Sequence, residues 1–179
     1  MKKYLFIVIS ILLLAGCGLN KQETTKNIFL IPEGFEGSIF VFYNMPNEPA
    51  LKKEKGYTVI PIKEKTLDTL KDTDISQYGV HFTSTKDMIY GIVNDQYYYV
   101  DEKGKRKEIN EQCISLGSNG GFTGKKGEDI KYSVIQVTTS SCGPSFKENG
   151  RNDFNAQVNE VGKYYLNKLG INNKNAAEG

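Results

Sequence analysis

Ser38-Ile39-Phe40-Val41-Phe42-Tyr43 is the stretch that decides the fold of this 179-residue chain. Its β-branched and aromatic side chains predict a β-strand. A strand with one face in water alternates apolar and polar residues, whereas this run is apolar at nearly every position. The run therefore predicts a strand that is covered on both faces or lies in the middle of a sandwich.

Strand-like composition recurs along the rest of the chain, in the segments 57–62, 65–70, 88–93, 96–101, 105–109 and 131–139. Asn94-Asp95 predicts a two-residue hairpin turn between the third and fourth of these segments. Glu102-Lys103-Gly104 predicts the next turn, which together with the first indicates a meander. Five glycines between residues 117 and 127 predict a flexible loop.

One amphipathic helix is predicted near the C-terminus, where apolar residues recur at helical spacing. These residues are Phe154, Val158, Val161, Tyr165 and Leu169. Asn152 or Asp153 can cap its start, and Gly170 can end it. The sequence thus predicts a mainly β domain, either an antiparallel β-sandwich or a half-open barrel, with one C-terminal α-helix.

The N-terminus has the layout of a secretory signal peptide. Lys2 and Lys3 precede an apolar run over 4–14, which is shorter than the roughly 20 residues of a membrane-spanning helix. Leu14-Ala15-Gly16-Cys17 resembles the lipobox of bacterial lipoproteins. The resemblance implies that Cys17 receives a diacylglyceryl group and becomes the first mature residue. A plain secretory signal with an incidental Cys17 is the alternative.

This interpretation divides the chain into four parts. Residues 1–16 are the signal peptide, 17–26 the lipidated Cys17 and a flexible tether, 27–171 a single β-rich domain, and 172–179 a disordered tail. Because two acyl chains suffice for stable anchoring, the mature protein is expected on the cell membrane, facing outside the cytoplasm.

Charge argues against nucleic acid as a partner. The chain has 23 basic and 21 acidic residues, and the signal peptide removes two of the lysines and no acidic residue. The mature body is therefore neutral, and it lies outside the cytoplasm. Its length suits one domain that buries a core without a metal.

Cys113 and Cys142 remain as a pair once Cys17 is assigned to lipid, and disulfides persist in exported proteins. The two residues form either a disulfide or two separate thiols. The segment Ser141-Cys142-Gly143-Pro144-Ser145 resembles the thioredoxin redox motif, but Ser145 replaces the second cysteine. Redox chemistry is therefore not expected.

No metal or cofactor is predicted. His81 is the only histidine, which excludes centres with several histidine ligands. Asp68, Asp72 and Asp74 lack the spacing of a calcium loop. The glycine-rich segment 120–125 does not have the spacing of a phosphate-binding loop.

Tyr97-Tyr98-Tyr99 is the candidate binding element. In a strand, Tyr98 faces away from Tyr97 and Tyr99, so one side can present rings to a sugar or a protein while the other packs inside. Cross-strand packing of all three is the alternative. Glu33, Asp68 and Asp101 are the carboxylates from which a hydrolase would need a convergent pair.

The opening Ile31-Pro32-Glu33-Gly34-Phe35-x-Gly37, followed by a strand that ends at Tyr43-Asn44, resembles an uncharacterised domain of Gram-positive lipoproteins. The resemblance extends over most of the mature chain and implies no catalytic residues. We expect a non-catalytic binding or accessory module for an envelope protein or cell-wall polymer. A hydrolase with paired carboxylates and a purely structural surface lipoprotein are the alternatives.

Overall fold

The structure is a computed structural model that describes residues 23–170. The signal peptide, Cys17 and the tail predicted over 172–179 lie outside the described residues. Within the described range, ten strands form two five-stranded sheets. A short helix α1, Pro144–Asn149, and a long helix α2, Asn152–Leu169, follow them.

The outer sheet consists of β1 Asn27–Pro32, β3 Lys52–Glu54, β4 Tyr57–Pro61, β7 Gln96–Val100 and β8 Arg106–Glu108. Its order is β3-β4-β1-β7-β8. β1 runs parallel to both β4 and β7. β7 and β8 are antiparallel, as the turn over 102–104 predicted, with Gly104 in the left-handed region at φ 79°.

The central sheet consists of β2 Gly37–Tyr43, β5 Lys63–Thr66, β6 Gln77–Phe82, β9 Ile114–Thr123 and β10 Asp129–Val137. Its order is β5-β6-β2-β10-β9, and β2 is parallel to β6 but antiparallel to β10. The mainly β architecture with a C-terminal helix is therefore confirmed. The expected antiparallel pairing is wrong for three strand pairs, and the sheets are not closed into a barrel.

β2 is buried along its whole length and contributes to two cores. Ile39, Val41 and Tyr43 belong to the sheet core, the apolar cluster that also contains Phe29 of the outer sheet. Phe40 and Phe42 point to the opposite face and belong to the helix core, which includes residues of α2. The prediction that this strand is covered on both faces is confirmed.

Helix α2 covers the central sheet with the apolar face that the sequence predicted. Phe154, Val161 and Tyr165 are buried, and the helix ends at Gly170 as expected. Its N-cap is Arg151, without a side-chain capping bond, so neither predicted capping residue fills that role. The buried Gln157 accepts a hydrogen bond from the Ser38 amide at 2.7 Å, which ties the helix to β2.

Two loop assignments differ from the prediction. The segment 88–93 forms no hairpin with β7, because β7 pairs with β1 and Asp95 accepts hydrogen bonds from Asn27 instead of forming a turn. The glycine-rich stretch begins as strand β9 and not as a loop. A Cβ atom at Gly120 would lie 2.5 Å from the Tyr132 ring, so a larger residue there would displace this ring.

Phe42 is the residue through which we test the helix core. Its ring contacts Phe82, Phe122, Tyr132 and Tyr165. Phe42→Ala should lower the free energy of unfolding by about 3–5 kcal/mol, measured by urea titration. Leu166→Ala, at an exposed position of α2, is the control and should cost less than about 0.5 kcal/mol. Equal effects of both substitutions would contradict this account of the core.

Candidate functional site

The tyrosine run of β7 is divided by strand geometry, as predicted. Tyr97 lies in the sheet core and is 6% exposed, and Tyr99 packs against the same core. The Tyr99 hydroxyl donates to the Phe35 carbonyl at 3.0 Å. Tyr98 lies on the other face, half-buried, and its hydroxyl donates to Gln96. Tyr97 is therefore not available to a ligand, and Tyr98 is the ring on the face away from the core.

Two of the three candidate carboxylates line one depression. Glu33 and Asp101 border a cavity of about 760 Å³ at the ends of β1 and β7, whereas Asp68 lies apart in a 3-10 turn. Asp101 accepts hydrogen bonds from the amides of Lys103 and Lys105, at 3.0 and 2.8 Å, through the same oxygen. It therefore stabilises the β7–β8 turn, and this geometry favours a structural role for Asp101.

Cys113 and Cys142 form a disulfide, with a Cα–Cα distance of 4.3 Å. Thr138 donates its amide hydrogen to the Cys113 carbonyl, and the Gly143 amide donates to Gln112. The bridge closes a loop that begins before β9 and ends just before α1. It thus fixes the chain that leads from the central sheet to the helices.

Beside the disulfide, Glu36 collects hydrogen bonds from the segment that follows β10. Its carboxylate accepts from the hydroxyls of Thr138 and Ser140, at 3.1 and 2.9 Å, and from the Thr139 amide at 2.9 Å. Arg151 forms an ion pair with it. Burial raises the pKa of Glu36, but the hydrogen bonds from Thr139, Ser140 and Thr138 together outweigh burial and lower it.

The lowered pKa of Glu36 has a consequence for stability. An acid whose pKa is depressed in the folded state stabilises the fold above its unfolded pKa of about 4.3. That stabilisation is lost as the pH falls through the folded pKa. Wild type should therefore be more stable than Glu36→Gln at pH 7, and the difference should shrink below about pH 4.3, measured by urea unfolding.

Glu33→Gln is the matched control, because Glu33 is exposed and lies three residues away. This substitution should change stability by less than about 0.5 kcal/mol at pH 7. A Glu36→Gln protein that unfolds like wild type at pH 7 would contradict the assignment of Glu36 as a structural anion.

A groove at one edge of the central sheet brings together lysines and aromatic rings. It has a volume of about 480 Å³ and lies between β5, β6 and the C-terminal end of α2. Its lining residues are Met45, Glu48, Pro49, Lys63, Lys65, Val80, His81, Phe82, Tyr165, Lys168 and Leu169. We call it the lysine groove.

The three lysines of the groove are exposed, and within residues 23–170 none of them forms an ion pair. The Lys65 ammonium lies 5.6 Å from the centre of the Phe82 ring. The Lys168 ammonium lies 3.0 Å from the Tyr164 hydroxyl, and this hydrogen bond raises the pKa of Lys168. The lysines therefore present positive charge over an apolar floor.

His81 and Glu48 are the other titratable residues that line the groove, besides Tyr165. Burial lowers the pKa of His81 below its usual value of about 6.5, so the imidazole is neutral at pH 7. The residues that line the groove thus include one carboxylate, that of Glu48, and three ammonium groups. This excess of positive charge suits an anionic ligand better than a cationic one.

Sequence reasoning did not identify this groove. Lys63 and Lys65 alternate along β5, which places them on one face of an edge strand. That alternation was the available signal. Lys168 comes from the last turn of α2, more than 100 residues later, and only the packing of the helix brings it to the same groove.

Two mixed sheets with a helix packed on the central one define a two-sheet β-sandwich domain. Residues 23–146 match the model of the family of unknown function DUF6843, and the chain belongs to this family. The matched range includes Lys63 and Lys65 of the lysine groove and ends before α2.

A solved structure gives a point of reference for the fold. The chain is similar to a crystal structure named "Putative Lipoprotein from Bacillus anthracis", with 30% sequence identity and a TM-score of 0.64. The similarity covers 82% of this chain and 98% of that chain. Comparison with curated proteins gave no match. Among the described residues, no helix is both long and apolar enough to cross a membrane.

Proposed function

We propose that the protein is a lipoprotein anchored through Cys17 at the outer face of the cell membrane, where its domain binds an anionic cell-wall polymer without catalysing a reaction. The observation that carries the binding proposal is the lysine groove. It combines three lysines that have no carboxylate partner among residues 23–170 with the partly exposed ring of Phe82.

The anchoring proposal rests on the residues around Cys17 and on the similarity to a protein named as a lipoprotein. The peptidase site needs small residues before the cut, and Ala15-Gly16 supplies them. Two acyl chains then hold the mature chain on the membrane, because one chain alone binds only marginally.

Cys17→Ala tests the anchor. The variant should accumulate as an unprocessed precursor or leave the membrane fraction, because it lacks the sulfur that accepts the diacylglyceryl group. Fractionation of cells and mass spectrometry of the N-terminus measure both outcomes. Leu166→Ala is the control, because it changes an exposed residue of the folded domain and leaves Cys17 and the disulfide intact. Normal processing and membrane retention of the Cys17→Ala protein would refute lipidation.

The groove suits a polymer better than a small anion. It is an open depression on the surface, so a long chain can pass through it without threading. Its lysines have flexible side chains and come from two elements, β5 and α2. Such an arrangement suits a ligand with repeated phosphate or carboxylate groups. The ring of Phe82, which is only partly buried, adds apolar contact area for the parts of the polymer between its charges.

Replacing Lys63, Lys65 and Lys168 together by glutamine tests this binding. The affinity for fluorescently labelled poly(glycerol phosphate) should fall at least about tenfold, or ~1.4 kcal/mol, in an anisotropy titration at fixed salt. The loss should be smaller at high salt, because ions screen exposed charges. A neutral polysaccharide of similar length should not bind either protein in the same assay.

The matched control is the glutamine triple variant of Lys103, Lys105 and Lys107. These lysines are also exposed, and they lie at the β7–β8 hairpin of the outer sheet. The control carries the same change in net charge, so it should bind the polymer like wild type. Equal loss in both variants would mean that only net charge matters and would overturn the assignment of the groove.

A further inference from the structure

A group of large apolar side chains lies in water on one side of the domain. The exposed fractions are 49% for Ile89, 56% for Tyr90, 53% for Ile92, 47% for Val93 and 54% for Leu116. Ile89, Val93 and Leu116 border the same small cavity between the two sheets, so these three lie side by side, and Tyr90 and Ile92 belong to the same segment as Ile89 and Val93. We call these five residues the apolar patch. Contiguous exposed apolar surface of this kind marks an interaction site.

The segment that carries most of the patch is fixed to the domain. Before it, Asp87 forms an ion pair with Lys131, and Met88 is buried in the sheet core. After it, Asp95 accepts hydrogen bonds from the Asn27 amide and side chain, at 2.9 and 3.2 Å. The segment that carries these apolar side chains is therefore fixed to the domain at both of its ends.

The same segment binds the chain that leads toward Cys17. The Ile92 amide donates to the Glu23 carbonyl at 3.0 Å, and the Thr25 amide donates to the Ile92 carbonyl at 2.8 Å. Contact with the domain thus begins at Glu23, within the tether that was predicted over 17–26. A Cβ atom at Gly91 would lie 2.0 Å from the Glu23 carbonyl oxygen, so this close approach requires glycine.

This attachment places the patch near the lipid. Cys17 precedes Glu23 by six residues, and six residues span at most about 22 Å when fully extended. Under the proposed function, the sulfur of Cys17 lies at the membrane surface. Glu23 is therefore held within about 22 Å of the bilayer. Ile92 is hydrogen-bonded to Glu23, so the tether gives the patch a high effective concentration of lipid.

We propose that the apolar patch docks on the bilayer and holds the domain in one orientation. The inference rests on the proposed lipid attachment of Cys17. Isoleucine, valine and leucine side chains are favourable among the lipid acyl chains. A tyrosine such as Tyr90 is favourable at the membrane–water interface, where its hydroxyl remains hydrated. Asp87 and Asp95, which flank the patch, already have partners in the domain.

The orientation has a consequence for the lysine groove. Leu116 lies on β9, at one edge of the central sheet, and the groove lies at β5 and β6, at the opposite edge. A domain that rests on the patch turns the groove away from the lipid. The groove is then open toward the wall.

The absence of tryptophan from the chain allows a direct test. The full lipidated protein with Tyr90→Trp is reconstituted into phosphatidylcholine–phosphatidylglycerol vesicles, with and without brominated acyl chains. We expect a blue shift of the emission and strong quenching by the brominated lipid. Tyr164→Trp, on the exposed face of α2 and 38% exposed, is the matched control and should be quenched several-fold less.

Combining Tyr90→Trp with serine at Ile89, Ile92 and Val93 should abolish the quenching, while the protein still sediments with the vesicles. Unquenched emission from the Tyr90→Trp protein that does sediment would overturn the docking proposal and leave the lipid anchor in place. Loss of sedimentation would instead overturn the anchor, and docking with it. A blue shift that depends on protein concentration and needs no lipid would identify a second copy of the chain as the occupant and overturn docking.

Discussion

The burial of β2 on both faces is the constraint on which the rest of the structure depends. A strand with apolar side chains on both faces must have a layer on each side, because either face alone in water would lose its hydrophobic stabilisation. The outer sheet covers Ile39, Val41 and Tyr43, and α2 covers Phe40 and Phe42. The three-layer order follows from this one strand. The hydrogen bonds of Gln157 then fix where the helix lies on the central sheet.

Local sequence patterns predicted the elements whose evidence is local. The apolar run of β2, the helical spacing over 154–169 and the glycine turn at Gly104 each depend on neighbouring residues, and the structure has all three. Strand direction was not predictable in this way. A parallel pair joins segments that are distant in sequence, as β1 and β7 are, and no turn motif marks it. The glycines of β9 were predicted as a loop because the residues that pack closely against them lie on another strand: Tyr132 against Gly120, and Val134 against Gly117.

The candidate site was less predictable than the fold for a related reason. Tyrosine at 97, 98 and 99 was visible as a run, but the run itself does not say which rings face the core. Burial raises the pKa of Tyr97 and Tyr99, so both hydroxyls remain protonated inside the domain. The lysine groove, in contrast, has only the alternation of Lys63 and Lys65 as a local signal. Its third lysine comes from a helix whose position is fixed by packing.

The two proposed surfaces place different demands on the same framework. The apolar patch is held by contacts that begin at Glu23, and the groove depends on the C-terminal end of α2. The central sheet connects them, since it carries Leu116 at one edge and β5 at the other. The disulfide holds the chain between β10 and α2 in place. So do the hydrogen bonds and the ion pair that Glu36 makes with residues 138–140 and Arg151. A shift of the helix relative to the sheet would have to break these contacts. Because one sheet joins the two surfaces, docking of the patch on the membrane would by itself set the direction in which the groove faces. No conformational change within the domain would be needed.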